Sequence, residues 1–142
     1  DYLSNLSELM INYNHEDFLK IIKILKQIEK NKKKVILVGN GGSAAMASHV
    51  SVDLTKMCNI RAVNFNEADL LTCFSNDYGY EKVFSRQIEA LANPEDVVIG
   101  LSTGGTSKNV LKGIKLANGE IVGFLNSDDV LKNRNTIMLI AL

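Results

Sequence analysis

Hydrophobic positions along this chain switch repeatedly between two periods. From Phe18 to Lys30, the residues Phe18, Ile21, Ile22, Leu25 and Ile28 recur at three- and four-residue spacing and leave Lys20, Lys23, Lys26 and Lys30 on the other side. That stripe predicts an amphipathic helix. Tyr2 to Met10 reads as a shorter helix before it, with Asn14-His15-Glu16 as the separator. After the basic lead-in Asn31-Lys32-Lys33-Lys34, the pattern becomes a continuous β-branched run from Val35, the signature of a strand covered on both faces. The run breaks at Gly39-Asn40-Gly41-Gly42 and resumes as an Ala-rich helix, with Ser43 placed to cap its first turn.

The alternation then repeats. Ile60 to Phe65 predicts a strand, Asn66-Glu67-Ala68-Asp69 the start of a short helix, and Ser75 to Tyr80 a polar loop. Tyr80 to Ala92 predicts a helix with Val83, Phe84, Ile88 and Leu91 inward, and Asn93-Pro94-Glu95-Asp96 a turn. Val97 to Leu101 reads as a strand, Asn109 to Leu116 as a helix, and Glu120 to Leu125 as a fourth strand. Strands alternating with helices predict an α/β fold with a parallel sheet covered on both faces.

Composition narrows the class. A chain of 142 residues that is 46% hydrophobic reads as one domain, residues 1–142. Residues 1–33 form a helical N-terminal extension and 34–142 the α/β core. The apolar run Ile137 to Leu142 reads as an interrupted element, so the C-terminal part of the core is expected to be incomplete. Lys+Arg and Asp+Glu both number 16, which gives no electrostatic reason to expect nucleic acid or a membrane surface as partner. No apolar run approaches the roughly 20 residues of a membrane span. Cys58 and Cys73 lack metal-type spacing and read as reduced thiols, in keeping with a cytoplasmic protein.

Two loops carry the candidate chemistry. Gly39-Asn40-Gly41-Gly42-Ser43 lies between a strand and a helix N-terminus, where free N–H groups and the helix dipole favour an anion. Gly41 and Gly42 let the backbone approach a ligand closely. No Lys closes the glycine run, which excludes a Walker loop. The match to a dinucleotide fingerprint is partial, and no acidic residue follows in the expected place, so no nucleotide cofactor is expected. The second loop, Ser102-Thr103-Gly104-Gly105-Thr106-Ser107, again joins a strand to a helix, and its four hydroxyls suit the oxygens of a phosphate monoester. Both loops leave carboxyl ends of strands, where open α/β sheets bind ligands. His49 and Asp53 share a helix face at i, i+4 spacing, so they can form a local pair, hold a metal or move protons. Asp77, in Ser75-Asn76-Asp77, is a further carboxylate candidate, or an Asx-turn residue.

Taken in order, Gly39-Asn40-Gly41-Gly42-Ser43, His49, Asp53-Leu54-Thr55, Asn76-Asp77-Tyr78-Gly79, Phe84-Ser85-Arg86-Gln87 and Ser102 through Val110 resemble a SIS (sugar isomerase) domain. Within that family they are most like the bacterial phosphoheptose isomerases, which convert sedoheptulose 7-phosphate into a heptose 7-phosphate. The resemblance covers roughly residues 1–117. It implies a three-layer α/β/α sandwich with a flavodoxin-like parallel sheet, and a homotetramer or homodimer with shared active sites. It implies that Ser43, Ser102, Thr103, Thr106 and Ser107 hold the substrate phosphate and that Asn40 and Asp77 lie near the sugar chain. It further implies His49 and Asp53 as zinc ligands in zinc-binding members, and Asp53 as the catalytic base.

The chain departs from that family in three places. Asp53 stands where the family has Glu, one methylene longer, and Gly104 where it usually has Ser. The family's late-helix His, the partner acid/base, has no counterpart, since the only histidines are His15 and His49. The expected activity is aldose–ketose isomerisation of a sugar phosphate through an enediol; the alternative is a SIS module that binds a sugar phosphate or serves as an oligomeric scaffold without turnover. The stretch Gly119 to Asp129 reads as strand plus acidic loop and also resembles the acidic motif of inverting glycosyltransferases, with Asp128 and Asp129 as its metal-holding pair.

Overall fold

The computed structural model describes residues 1–11, 15–117 and 139–141. The predicted first strand is β1 (Lys34–Gly39), and it is the centre of the sheet. Val35, Ile36, Leu37 and Val38 are all fully buried, because β1 has a strand on each edge and helices on each face. On one edge it pairs in parallel with β2 (Arg61–Asn64), with Ile36 opposite Val63. On the other it pairs in parallel with β3 (Val97–Leu101), with Ile36 opposite Val98. A short segment, β4 (Leu139–Ala141), lies antiparallel beyond β3 and gives the order β2-β1-β3-β4. The expected fourth strand, Glu120 to Leu125, and the Asp128–Asp129 pair lie outside the described residues.

Alternation along β1 sorts its side chains between two cores. Val35 and Leu37 face α2 (His15–Lys30) and α3 (Gly42–Lys56), meeting Ile28, Ala47, Leu54 and Ile60. Ile36 and Val38 face the opposite layer, formed by α4 (Ala68–Tyr78), α5 (Val83–Leu91) and α6 (Lys108–Ile114). There they join Phe65, Val83, Phe84, Ile88, Val110 and Ile114. Each such fully buried aliphatic or aromatic side chain contributes roughly 1.5–3 kcal/mol. The result is the expected three-layer α/β arrangement with a parallel sheet, preceded by α2 and by α1 (Tyr2–Ile11). At Gly100 a Cβ would stand 2.3 Å from Ile114 Cδ1 and 2.8 Å from Val110 Cγ1, so glycine is what lets α6 seat on β3.

Strand order fixes where a ligand can sit. From β1 the chain crosses through α3, on one face, to β2; it returns through α4 and α5, on the other face, to β3. The loops leaving β1 and β3 therefore part to opposite faces, and that divergence opens a crevice at the carboxyl ends of the two strands. At the other end, Asp96 ties the strands together. Its carboxylate, only 1% exposed, accepts from the backbone N–H groups of Lys34 (3.0 Å) and Asn93 (2.7 Å) and from Lys34 Nζ. Burial pushes this carboxyl up, but the Lys34 hydrogen bond and the two backbone N–H groups outweigh it and hold it below the ordinary aspartate range.

Three local expectations change. Ser75, Asn76 and Asp77 are helical, not loop: α4 continues to Tyr78. Glu67 caps its start by accepting from Asp69 N (2.9 Å) and Leu70 N (3.1 Å). Leu71 and Phe74 pack on the core, and the Phe74 and Tyr78 rings lie 5.7 Å apart one turn on. Apolar anchoring at helical spacing thus overrides the polar composition of that last turn, and Gly79, at φ 83, ends it. Leu91 is half exposed rather than inward, since Ala92 packs on the cluster in its place. Ser43 is already inside α3 and caps nothing. No helix among the described residues is long and apolar enough to cross a membrane, and both cysteines are free and exposed.

Candidate functional site

The crevice is built on a glycine turn that allows no larger residue at its first position. A Cβ on Gly39 would lie 2.8 Å from the carbonyl carbon and oxygen of Ser43, so the first turn of α3 folds directly over the end of β1. Gly41 adopts φ 53, a left-handed conformation that favours glycine, and makes the reversal. The Asn40 carbonyl then accepts from Ser43 N (3.0 Å) and Ala44 N (3.3 Å), and the Gly41 carbonyl from Ala45 N (3.1 Å). Backbone, not the Ser43 hydroxyl, closes this helix start; no side chain caps it.

The second loop closes on itself in a similar way. Ser102 Oγ donates to Ser107 Oγ across 3.1 Å, and Gly105 N donates to the Ser102 carbonyl at 3.3 Å. Ser107 occupies the cap position of α6, yet its side chain makes no capping bond. Ser102 is buried, Ser107 and Thr103 are half-buried, and Thr106 and Gly104 are exposed.

A pair of amides joins the first loop to the helix into which the second loop leads. Asn40 Nδ2 donates to Asn109 Oδ1 (2.9 Å), and Asn109 Nδ2 donates back to Asn40 Oδ1 (2.8 Å). Tyr80 Oη adds a third bond, donating to Asn40 Oδ1 at 2.8 Å. Asn109, 3% exposed in the first turn of α6, also accepts from Val110 N at 3.0 Å. The structure thus brings Asn40, Gly41, Gly42 and Ser43 to the same end of the sheet as Ser102, Thr103, Thr106 and Ser107. Asn109 and Tyr80 went unread in the sequence as site residues. A buried Asn one position inside a helix is a polar group in need of partners, which is a usable signal; its actual partner lies 69 residues away.

The other candidates are less closely gathered. Asp77 sits exposed on the last turn of α4, with Asn76 Nδ2 donating to its Oδ1 at 2.9 Å. His49 Nε2 and Asp53 Oδ2 are 3.5 Å apart, with side chains 79% and 55% exposed. Ten residues of helix separate Ser43 from Asp53, on the order of 15 Å at about 1.5 Å each. Within one chain, Asp53 therefore stands well along α3 from the glycine turn. Among the described residues no group of three His, Cys, Asp or Glu side chains is placed to hold a metal. His49 and Asp53 offer two donors, short of the three protein ligands of a catalytic zinc.

Comparison with known proteins places this arrangement. The sequence profile of the SIS domain matches residues 1–120. The chain belongs to the SIS-domain family. Among its relatives is the phosphoheptose isomerase of Geotalea daltonii, 41% identical over 117 residues that span 76% of this chain and 61% of that protein. A probable phosphoheptose isomerase of Thermoplasma acidophilum is 42% identical over 123 residues, 82% of this chain and 67% of the relative. The phosphoheptose isomerase of Helicobacter pylori strain P12 is 44% identical over 102 residues, or 68% and 53%. This SIS chain thus spans between 53% and 67% of the length of these relatives. The solved phosphoheptose isomerase of Neisseria gonorrhoeae superposes with a TM-score of 0.73 at 35% identity, over 80% of this SIS chain and 61% of that one.

Proposed function

We propose that the chain forms the phosphate- and sugar-binding part of a phosphoheptose isomerase that interconverts sedoheptulose 7-phosphate and a heptose 7-phosphate. The observation that carries this reading is the joining of the first strand-end loop to the start of α6 by the Asn40–Asn109 pair, in a chain 41% identical to a phosphoheptose isomerase. In this proposal the hydroxyls of Ser43, Ser102, Thr103, Thr106 and Ser107, with the N–H groups of Gly41 and Gly42, take the substrate phosphate. Asn40 and Asp77 contact the sugar chain. Phosphate binding supplies orientation energy, which is what slow proton transfers at carbon need.

Asp53 is the proposed base. It removes the proton on the carbon beside the carbonyl, giving an enediolate, and an acid returns a proton to the neighbouring carbon. Because Asp53 is 55% exposed and stands well along α3 from the glycine turn of its own chain, the reading includes a second copy that brings the two together, in a homodimer or homotetramer. His49 and Asp53 remain the zinc-ligand candidates, and no step is routed through a metal. The test is turnover of sedoheptulose 7-phosphate by the full chain beside Asp53→Asn. A loss of at least about a hundredfold is expected for a carboxylate acting as general base.

The exposure of His49 and Asp53 also favours a second reading, a SIS module that binds the sugar phosphate without turning it over. Saturable binding by the wild type with no product, unchanged in Asp53→Asn, is its signature.

A further inference from the structure

The hydrogen bonds around Asn40 have a fixed polarity, and it is set from outside the pair. Val110 N is a backbone N–H and can only donate, so the side-chain atom of Asn109 that it meets at 3.0 Å must be the carbonyl oxygen. The other amide atom of Asn109, Nδ2, therefore meets Asn40 as a donor and needs an acceptor there, Asn40 Oδ1, at 2.8 Å. Asn40 Nδ2 must then donate back to Asn109 Oδ1, at 2.9 Å. Tyr80 Oη donates to the remaining lone pair of Asn40 Oδ1 at 2.8 Å.

The count of donors and acceptors has a consequence. Each carboxamide oxygen accepts two bonds, Asn40 Oδ1 from Asn109 and Tyr80, Asn109 Oδ1 from Asn40 and Val110. Both acceptors are saturated. Each Nδ2 carries two hydrogens and uses one within the pair, so among the described residues the only capacity left is one N–H on each amide. A group in that state can serve an oxygen lone pair and cannot serve a hydroxyl hydrogen. Without the Tyr80 hydroxyl, Asn40 Oδ1 has a free lone pair that competes for substrate hydroxyls, and the amide loses one of the three bonds that fix its plane.

We infer that Tyr80 and Asn109 are positioning residues that lock Asn40 as a one-way hydrogen-bond donor toward an oxygen of the sugar. This rests on the proposed placement of Asn40 beside the sugar chain. Tyr80 is the informative residue because its side chain is more than half exposed, so its hydroxyl can be removed without opening the core.

The experiment compares wild type, Tyr80→Phe, Asn40→Ala and the double variant in the full chain, with Tyr78→Phe as a control for loss of a tyrosine hydroxyl elsewhere. Readouts are kcat/KM and binding affinity for sedoheptulose 7-phosphate, affinity for inorganic phosphate, and the thermal midpoint. Tyr80→Phe is expected to lower sugar-phosphate kcat/KM about tenfold, the scale of one hydrogen bond. Affinity for inorganic phosphate and the thermal midpoint stay at wild-type values, and Tyr78→Phe behaves as wild type. In the Asn40→Ala background Tyr80→Phe has no further effect, because it acts through Asn40. Equal losses in both backgrounds, parallel loss of inorganic phosphate affinity, or wild-type behaviour of Tyr80→Phe overturn the inference. If the wild type binds the sugar phosphate but does not turn it over, the isomerase reading fails, and the same comparison is read from affinity alone. A wild type that binds neither ligand overturns both.

Discussion

At one end of the sheet β1 and β3 are joined by a charge pair with a buried carboxylate; at the other, the loop leaving β1 is joined to the start of α6 by neutral amides. The amino-terminal end is built on two charge pairs, Lys34 with Asp96 and Lys33 with Glu95. Asp96 accepts from Lys34 twice and from Asn93, and Lys33 Nζ donates to the Pro94 carbonyl at 3.1 Å and lies 3.4 Å from Glu95 Oε2. Among the described residues, the carboxyl-terminal end has its amide acceptors occupied and one N–H of each amide without a partner, beside an exposed glycine turn. Two strands thus carry opposite kinds of polar chemistry at their two ends, charge pairs at one and neutral amides at the other.

The sharpest way to break this contrast is to remove Asp96. Asp96→Ala leaves the partly buried Lys34 ammonium and two N–H groups without their acceptor, and a loss of about 3 kcal/mol is expected. Denaturant unfolding measures it, while the folded fraction keeps its phosphate affinity. The same carboxylate gives this end a pH dependence. Its folded-state pKa is depressed, so the unfolded chain binds the proton more readily. Its contribution is whole above the ordinary aspartate range and drains away as pH falls through that range toward the lower folded value. Asp96→Asn should flatten that part of the acid limb of stability against pH.

A smaller effect is expected from Gly39→Ala at the other end. Its Cβ would collide with the Ser43 backbone at 2.8 Å. Displacing the first turn of α3 should cost about 2 kcal/mol, as overpacking does. Here stability and sugar-phosphate affinity fall together, which separates this variant from Asp96→Ala. The smallest effect belongs to His49→Ala. An exposed i, i+4 pair contributes under about 0.5 kcal/mol, so the thermal midpoint should hardly move. Any loss of turnover in that variant then reports chemistry and not folding.

What the sequence disclosed and what it hid divide along a physical line. β1 and its glycine turn were legible because a covered strand needs an unbroken apolar run and a reversal needs Gly41. The parallel order followed from alternation of strands and helices. The extent of α4 was hidden because Phe74 and Tyr78 stabilise a turn whose other residues favour loops. The role claimed for Ser43 at the cap was displaced by backbone bonds from the Asn40 carbonyl, a matter of where the helix begins rather than of residue type. Asn109 and Tyr80 were hidden most thoroughly. They meet Asn40 across 69 and 40 residues, and no local pattern encodes a partner at that distance.

The central position of β1 also sets a clock. Its backbone is bonded along both edges and roofed on both faces, so its amide hydrogens exchange with solvent only when the sheet as a whole opens. Asn40 follows Gly39 directly and begins where the slowest-opening strand ends. If Asn40 serves the proposed ligand, its donor is already held by Asn109 and Tyr80, and an association rate set by encounter is the expected outcome.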